Sequence, residues 1–133
     1  MNAVRIVAAA SLAAAGVAAA IAGIGVAGSP GEARLRRLDE HRVSDLVQLA
    51  SALDAARVRD GRLPGMLSAL ESRGAPARVR RDPVTGVPYD YRVVDADRYE
   101  LCAVFDREGG ASVGVLWAHP SGRQSFTLTA RGR

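Results

Sequence analysis

From Ile6 to Gly28 the chain carries no charged residue: 23 consecutive positions of Ala, Gly, Val, Ile and Leu with a single Ser. A helix rises about 1.5 Å per residue and a bilayer core is about 30 Å thick, so such a run is long enough to cross it. The margin is thin. Ile6, Val7, Leu12, Val17, Ile21, Ile24 and Val26 together favour insertion by roughly 2–4 kcal/mol, while Gly16, Gly23, Gly25 and Gly28 oppose it. The expected layout is a flank at 1–5, a single-pass anchor in the lipid bilayer at 6–28, a linker at 29–33 and a folded domain at 34–133. A cleaved secretory signal competes with this, with Arg5 as its basic region and Val26-Ala27-Gly28 as its small-residue cleavage site. The apolar part of a signal ordinarily runs about 7–15 residues, shorter than this one. No cysteine stands between residues 20 and 30, which excludes a lipoprotein anchor.

The hundred or so residues beyond Gly28 suffice for one modest core. Every basic residue is Arg, and the formal net charge is +4. The arginines are scattered among Asp and Glu and are not interleaved with aromatics, so nucleic acid is not expected as a partner. Arg34, Arg36, Arg37 and Arg42, just past the uncharged run, suit anionic headgroups. By the positive-inside rule the same residues place the domain in the cytoplasm. The single cysteine, Cys102, rules out an internal disulfide.

Gly28-Ser29-Pro30-Gly31 breaks the first helix, because Pro lacks the amide donor. A long amphipathic helix follows, from about Arg34 to Asp60, with Leu35, Leu38, Val43, Leu46, Leu49, Ala50, Leu53 and Ala56 on one face. Arg37, Glu40, Asp45, Gln48, Asp54, Arg57 and Arg59 form the opposite, solvated face, and Gly61 fits the left-handed residue that ends a helix. A second, short helix is expected from Gly65 to Ser72 with Met66, Leu67 and Leu70 inward, then a connector to Arg81. After Pro83 the apolar period becomes two, which signals strands. Four are expected: Val87 to Val93, Tyr99 to Phe105, Val113 to Trp117, and one around Phe126 and Leu128. Short links between them give an antiparallel meander, and the fold class is α+β, with the long helix covering one face of the sheet.

The segment Asp82-Pro83-Val84-Thr85-Gly86-Val87-Pro88-Tyr89-Asp90-Tyr91, preceded by Gly61-Arg62-Leu63-Pro64 with Leu67 and Leu70, resembles the pilin-like domains of major pseudopilins of type II secretion. Tyr99 to Phe105 is similar to a stretch in membrane-anchored bacterial proteins with the same order of elements. The resemblance covers about Leu46 to Phe105. It implies a small sheet behind a long helix, an exported domain outside the cytoplasm, and contacts with other envelope proteins or with further copies of the chain. The export it implies conflicts with the orientation read from the arginines. Residues 1–12 show no prepilin-peptidase site, and the uncharged run holds no Glu.

Turn chemistry accounts for the motif residues as structural: Asp82 can accept backbone amides, Pro83 fixes its own φ, and Gly86 permits a tight turn. Pro88 belongs to the same structural motif, and Tyr89 and Tyr91 share one face of the first strand, where they can pack on the helix. No residue is assigned to catalysis, cofactor or metal. Cys102 reads as a packing residue in an apolar strand, His119 lies at a turn, and His41 reads as a surface residue. Asp95, Asp97, Asp106 and Glu108 are the oxygen ligands a calcium ion could use, with solvated carboxylates as the plainer reading. Trp117 and Phe126 read as core. The sequence thus points to a non-enzymatic, membrane-anchored protein acting through protein contacts in an envelope or secretion-associated assembly. The alternative is a small secreted binding module, for calcium or a small ligand, released by signal cleavage.

Overall fold

The computed structural model describes residues 2–27, 29–73 and 75–131. The chain divides into two compact units, Met1–Arg34 and Leu35–Arg133. In the first, helix α1 (Asn2–Ala27) is followed by the start of helix α2 (Pro30–Asp60). Ser29 caps α2: its hydroxyl accepts the Glu32 amide (3.2 Å), while a Glu32 carboxylate oxygen accepts the Ser29 amide (3.4 Å). This reciprocal box, with Pro at the first helical position, starts the helix four residues earlier than apolar periodicity alone indicates. Residues 30–33, expected as linker, are therefore its first turn. Ile6, Val7, Leu12, Val17 and Ile21 of α1 are exposed. Among the described residues, no helix is long and apolar enough to cross a membrane. The side chains of Ala9 and of residues 22–28, which the expected anchor includes, lie outside the described set.

The second unit is α+β: the body of α2 and a three-stranded antiparallel sheet of β1 (Asp90–Val93), β2 (Arg98–Phe105) and β3 (Gly122–Thr129), in the order β1-β2-β3. Val43, Leu46, Leu49, Leu53 and Ala56 of α2 join Tyr99, Leu101, Phe105, Phe126 and Leu128 of the sheet in one buried cluster. Gly61 ends the helix with φ +69° and donates its amide to the Arg57 carbonyl (3.0 Å). The expected short helix is a 3-10 turn, Leu67–Arg73, with Leu67 and Leu70 buried. Met66, expected inward, is exposed.

The sheet has three strands rather than four. Between β2 and β3 the expected strand at Val113–Trp117 is instead a set of turns ending in the 3-10 turn Val115–Trp117, with Gly110 and Gly114 at positive φ. Local bonds satisfy this backbone, Val113 to Gly110 (3.0 Å) and Trp117 to Gly114 (2.9 Å). Only Trp117 reaches the core, against Phe126 (5.1 Å between rings), and Val115 is 91% exposed. Alternation within three residues mimicked a strand that the glycines do not allow.

Candidate functional site: an ionic clasp on the Asp82 turn

The motif segment folds as a closed loop ahead of β1. One Asp82 oxygen, Oδ1, accepts the amides of Val84 (2.8 Å) and Thr85 (2.9 Å). The Asp82 carbonyl accepts the Gly86 amide (2.9 Å), and the Val87 carbonyl accepts the Asp82 amide (2.9 Å). Gly86 holds φ +69°, a conformation costly for any residue with a Cβ. The loop closes through a bridge between Arg81 and Pro88. Val87, expected to begin the strand, belongs to this loop and is exposed, and β1 starts at Asp90.

The second Asp82 oxygen, Oδ2, is held by the helix. Arg42 Nε donates to it (2.6 Å), while Arg42 Nη1 donates to Asp39 Oδ1 (2.6 Å) and to Asp106 Oδ2 (2.6 Å). Asp39 in turn accepts the backbone amides of Asp106 (3.0 Å) and Arg107 (2.8 Å), where the chain leaves β2. One guanidinium thus ties α2, the motif loop and the end of β2 together. Arg42 and Asp39 are each 5% exposed. Burial works against the Arg42 cation, but the bonds from Asp82, Asp106 and Asp39 outweigh it and raise its pKa. Burial also works to raise the Asp82 carboxyl; the Arg42 bond and the Thr85 and Val84 amides prevail and hold it below the ordinary value.

A second tie lies one helical turn on. The Tyr89 hydroxyl donates to Asp45 Oδ2 (3.1 Å), and both residues are buried. Burial raises the Asp45 carboxyl despite the Tyr89 bond, and burial followed by the nearby Asp45 charge raises the Tyr89 phenol. Tyr91 packs against Tyr99 (6.0 Å between rings) and donates to the Pro64 carbonyl (2.8 Å), and burial pushes its phenol up to about 12. Of the motif residues, Asp82, Gly86, Tyr89 and Tyr91 make these ties, while Pro83 and Pro88 are exposed in the loop. Beside the clasp lies a groove of about 500 Å³ lined by Leu35, Leu38, Val84, Val87, Pro88 and Val104.

Two sequence readings change here. Arg42, grouped with the headgroup-facing arginines, is buried in the clasp, and Asp45, placed on the solvated face, is buried beside Tyr89. The Asp39–Arg42 pair at i,i+3 is legible on the helix, but no local signal ties it to Asp82 or Asp106, 40 and 64 residues away.

The remaining candidates lie apart. Asp95 and Asp97 precede β2 and are paired with Arg98 and Arg57, whereas Asp106 and Glu108 follow β2 at its other end. Eight strand residues separate the two pairs, roughly 25 Å at strand rise, so the four carboxylates do not share one ion. Cys102 is buried with its Sγ 2.8 Å from Ser125 Oγ. The His119 ring is buried and stacks on Phe105 at 3.6 Å, with Nδ1 3.1 Å from the Pro120 carbonyl. His41 is exposed, 3.7 Å from Asp45. Compared with known proteins, the chain matches no family model, no curated protein and no solved structure.

Proposed function

We propose that the chain is a non-enzymatic, pilin-like protein anchored in the bilayer by residues 6–28, whose domain acts through contacts with other envelope proteins. The observation that carries the anchor is the uncharged run itself, 23 residues without a charge ahead of a small folded unit. The domain's part rests on how its polar groups are used. Asp82, Asp39 and Asp106 share the one Arg42 guanidinium, Asp82 and Asp39 also accept backbone amides, and Asp45 is engaged by Tyr89. Such a cluster fixes a loop against a helix; it offers no activated nucleophile beside a base.

The resemblance to major pseudopilins of type II secretion belongs to this reading, carried by the Asp82-to-Tyr91 segment, and with it the placement of the domain outside the cytoplasm. Alkaline carbonate extraction of native membranes, with N-terminal sequencing and protease treatment of intact cells and spheroplasts, tests all parts together. The expected result is an intact chain in the pellet whose domain is digested only once the outer barrier is opened. A trimmed chain beginning near Ser29 in the aqueous fraction would overturn the anchor and favour a released module. An anchored domain resistant to protease in spheroplasts would overturn its placement.

A further inference from the structure

The apolar stripe of α2 extends beyond its buried stretch. Leu35 stands eleven residues, about three turns, ahead of Leu46 and so lies on the stripe of Leu46, Leu49 and Leu53. Those three are buried, whereas Leu35 is exposed. Leu35, Val84, Val87 and Val104, each between 37% and 60% exposed, line the groove beside the clasp. The carboxylates of that groove, Asp82, Asp90 and Asp106, are bonded to Arg42 or Arg123. At about 100° per residue, Arg36 stands one step to one side of Leu35, and Arg37 one step to the other side of Leu38. Both arginines are exposed, and neither enters an ion pair among the described residues. Glu40 lies about 140° round the helix from Leu35, away from the groove.

We propose that this end of the domain seats on the surface of the bilayer that holds residues 6–28. Leu35, Val84 and Val87 enter the headgroup layer there, and Arg36 and Arg37 take lipid phosphates on either side. An apolar stripe flanked by cations is the pattern of a helix that lies at such an interface. Guanidinium groups fork to phosphate, and each adds attraction to an anionic surface. Chain length selects the occupant. Leu35 is the seventh residue after Gly28, where the uncharged run ends, and seven residues reach at most about 25 Å. A patch on so short a tether meets the bilayer at an effective concentration of about millimolar, which a dilute partner does not match. The clasp shapes the patch: Arg42 holds the loop that carries Val84 and Val87 beside the helix that carries Leu35 and Leu38.

The proposal rests on the anchored reading and says what the exposed apolar end of the domain does there. Its test uses the full chain reconstituted in vesicles of phosphatidylcholine with about one quarter phosphatidylglycerol. In a Cys102→Ser background, an environment-sensitive fluorophore is attached at Thr85→Cys on the loop, or at Thr129→Cys at the other end of the sheet. The Thr85 probe is expected to shift to the blue and brighten about twofold or more, with the Thr129 probe unchanged. Joint Val84→Ser and Val87→Ser is expected to abolish the shift, and joint Arg36→Ser and Arg37→Ser to roughly halve it. Vesicle flotation of the same samples reports the anchor separately. A chain that floats while its Thr85 probe stays in water overturns the proposal and leaves the anchor standing; a chain that does not float overturns both. Equal shifts at Thr85 and Thr129, or a Thr85 shift confined to native membranes, would also overturn it, the last by making a protein the occupant.

Discussion

Between Leu46 and Ala56 the buried face of α2 is aliphatic; between Asp39 and Asp45 it is charged apart from Val43. The first half meets the sheet core, and the second meets the two loops at the sheet's end through Arg42 and Asp45. The difference teaches what each kind of contact specifies. Aliphatic packing is non-directional and holds helix to sheet by area removed from water. A guanidinium with three carboxylates at 2.6 Å is directional, and fixes where the Asp82 loop and the end of β2 sit. Buried ion clusters add little net stability against an apolar equivalent, yet are costly to break on one side.

Breaking the aliphatic half should have the largest effect. Leu46→Glu or Leu53→Glu buries an unpaired carboxylate among fully buried neighbours and is expected to cost more than about 5 kcal/mol. Loss of a cooperative thermal transition by circular dichroism is the check; unchanged melting would show that these residues do not face the sheet. Breaking the ionic half comes next. Arg42→Ala leaves buried Asp39 and half-buried Asp82 without their cation and is expected to cost about 3–5 kcal/mol in urea unfolding. Arg42→Lys keeps the charge but cannot fork to several carboxylates, and should lose less, about 1–3 kcal/mol.

Acid sharpens the contrast. Asp82 is held below the ordinary carboxyl value, so its contribution is fully present above about pH 4 and is lost as pH falls through its folded value. Asp45 is raised, so its contribution is present at lower pH and is lost as pH rises through its folded value. Asp82→Asn should therefore flatten the fall in stability on the acid side, while Asp45→Asn should leave neutral-pH stability equal or slightly higher. Melting temperatures between pH 2 and 7 separate the two. The smallest effect is that of Tyr89→Phe, which removes the bond to Asp45 and is expected to cost about 1 kcal/mol.

The same division governs what could be read in the chain. Leu46, Leu49, Leu53 and Ala56 announce themselves by spacing, and Tyr99, Leu101 and Phe105 by alternation, because burial of an aliphatic face imposes a period. The motif's own bonds were legible too, since an Asp at the head of a tight turn accepts amides two and three residues on. Arg42 and Asp106 were not. They stand 64 residues apart, and a charged residue carries no local mark that says it will be buried. Val113 to Trp117 failed for the opposite reason: a period appears there, and the glycines around it override it.

The central claim is that Asp82 serves as the helix's handle on the motif loop. A double-mutant cycle on Arg42→Ala and Asp82→Ala, by urea unfolding of the full chain, tests it directly. A coupling of about 2 kcal/mol or more is the predicted result, since Arg42→Ala leaves the half-buried Asp82 carboxylate without its cation and Asp82→Ala removes one of the three carboxylates that hold the buried guanidinium. Additive losses, with coupling below about 0.5 kcal/mol, would contradict it.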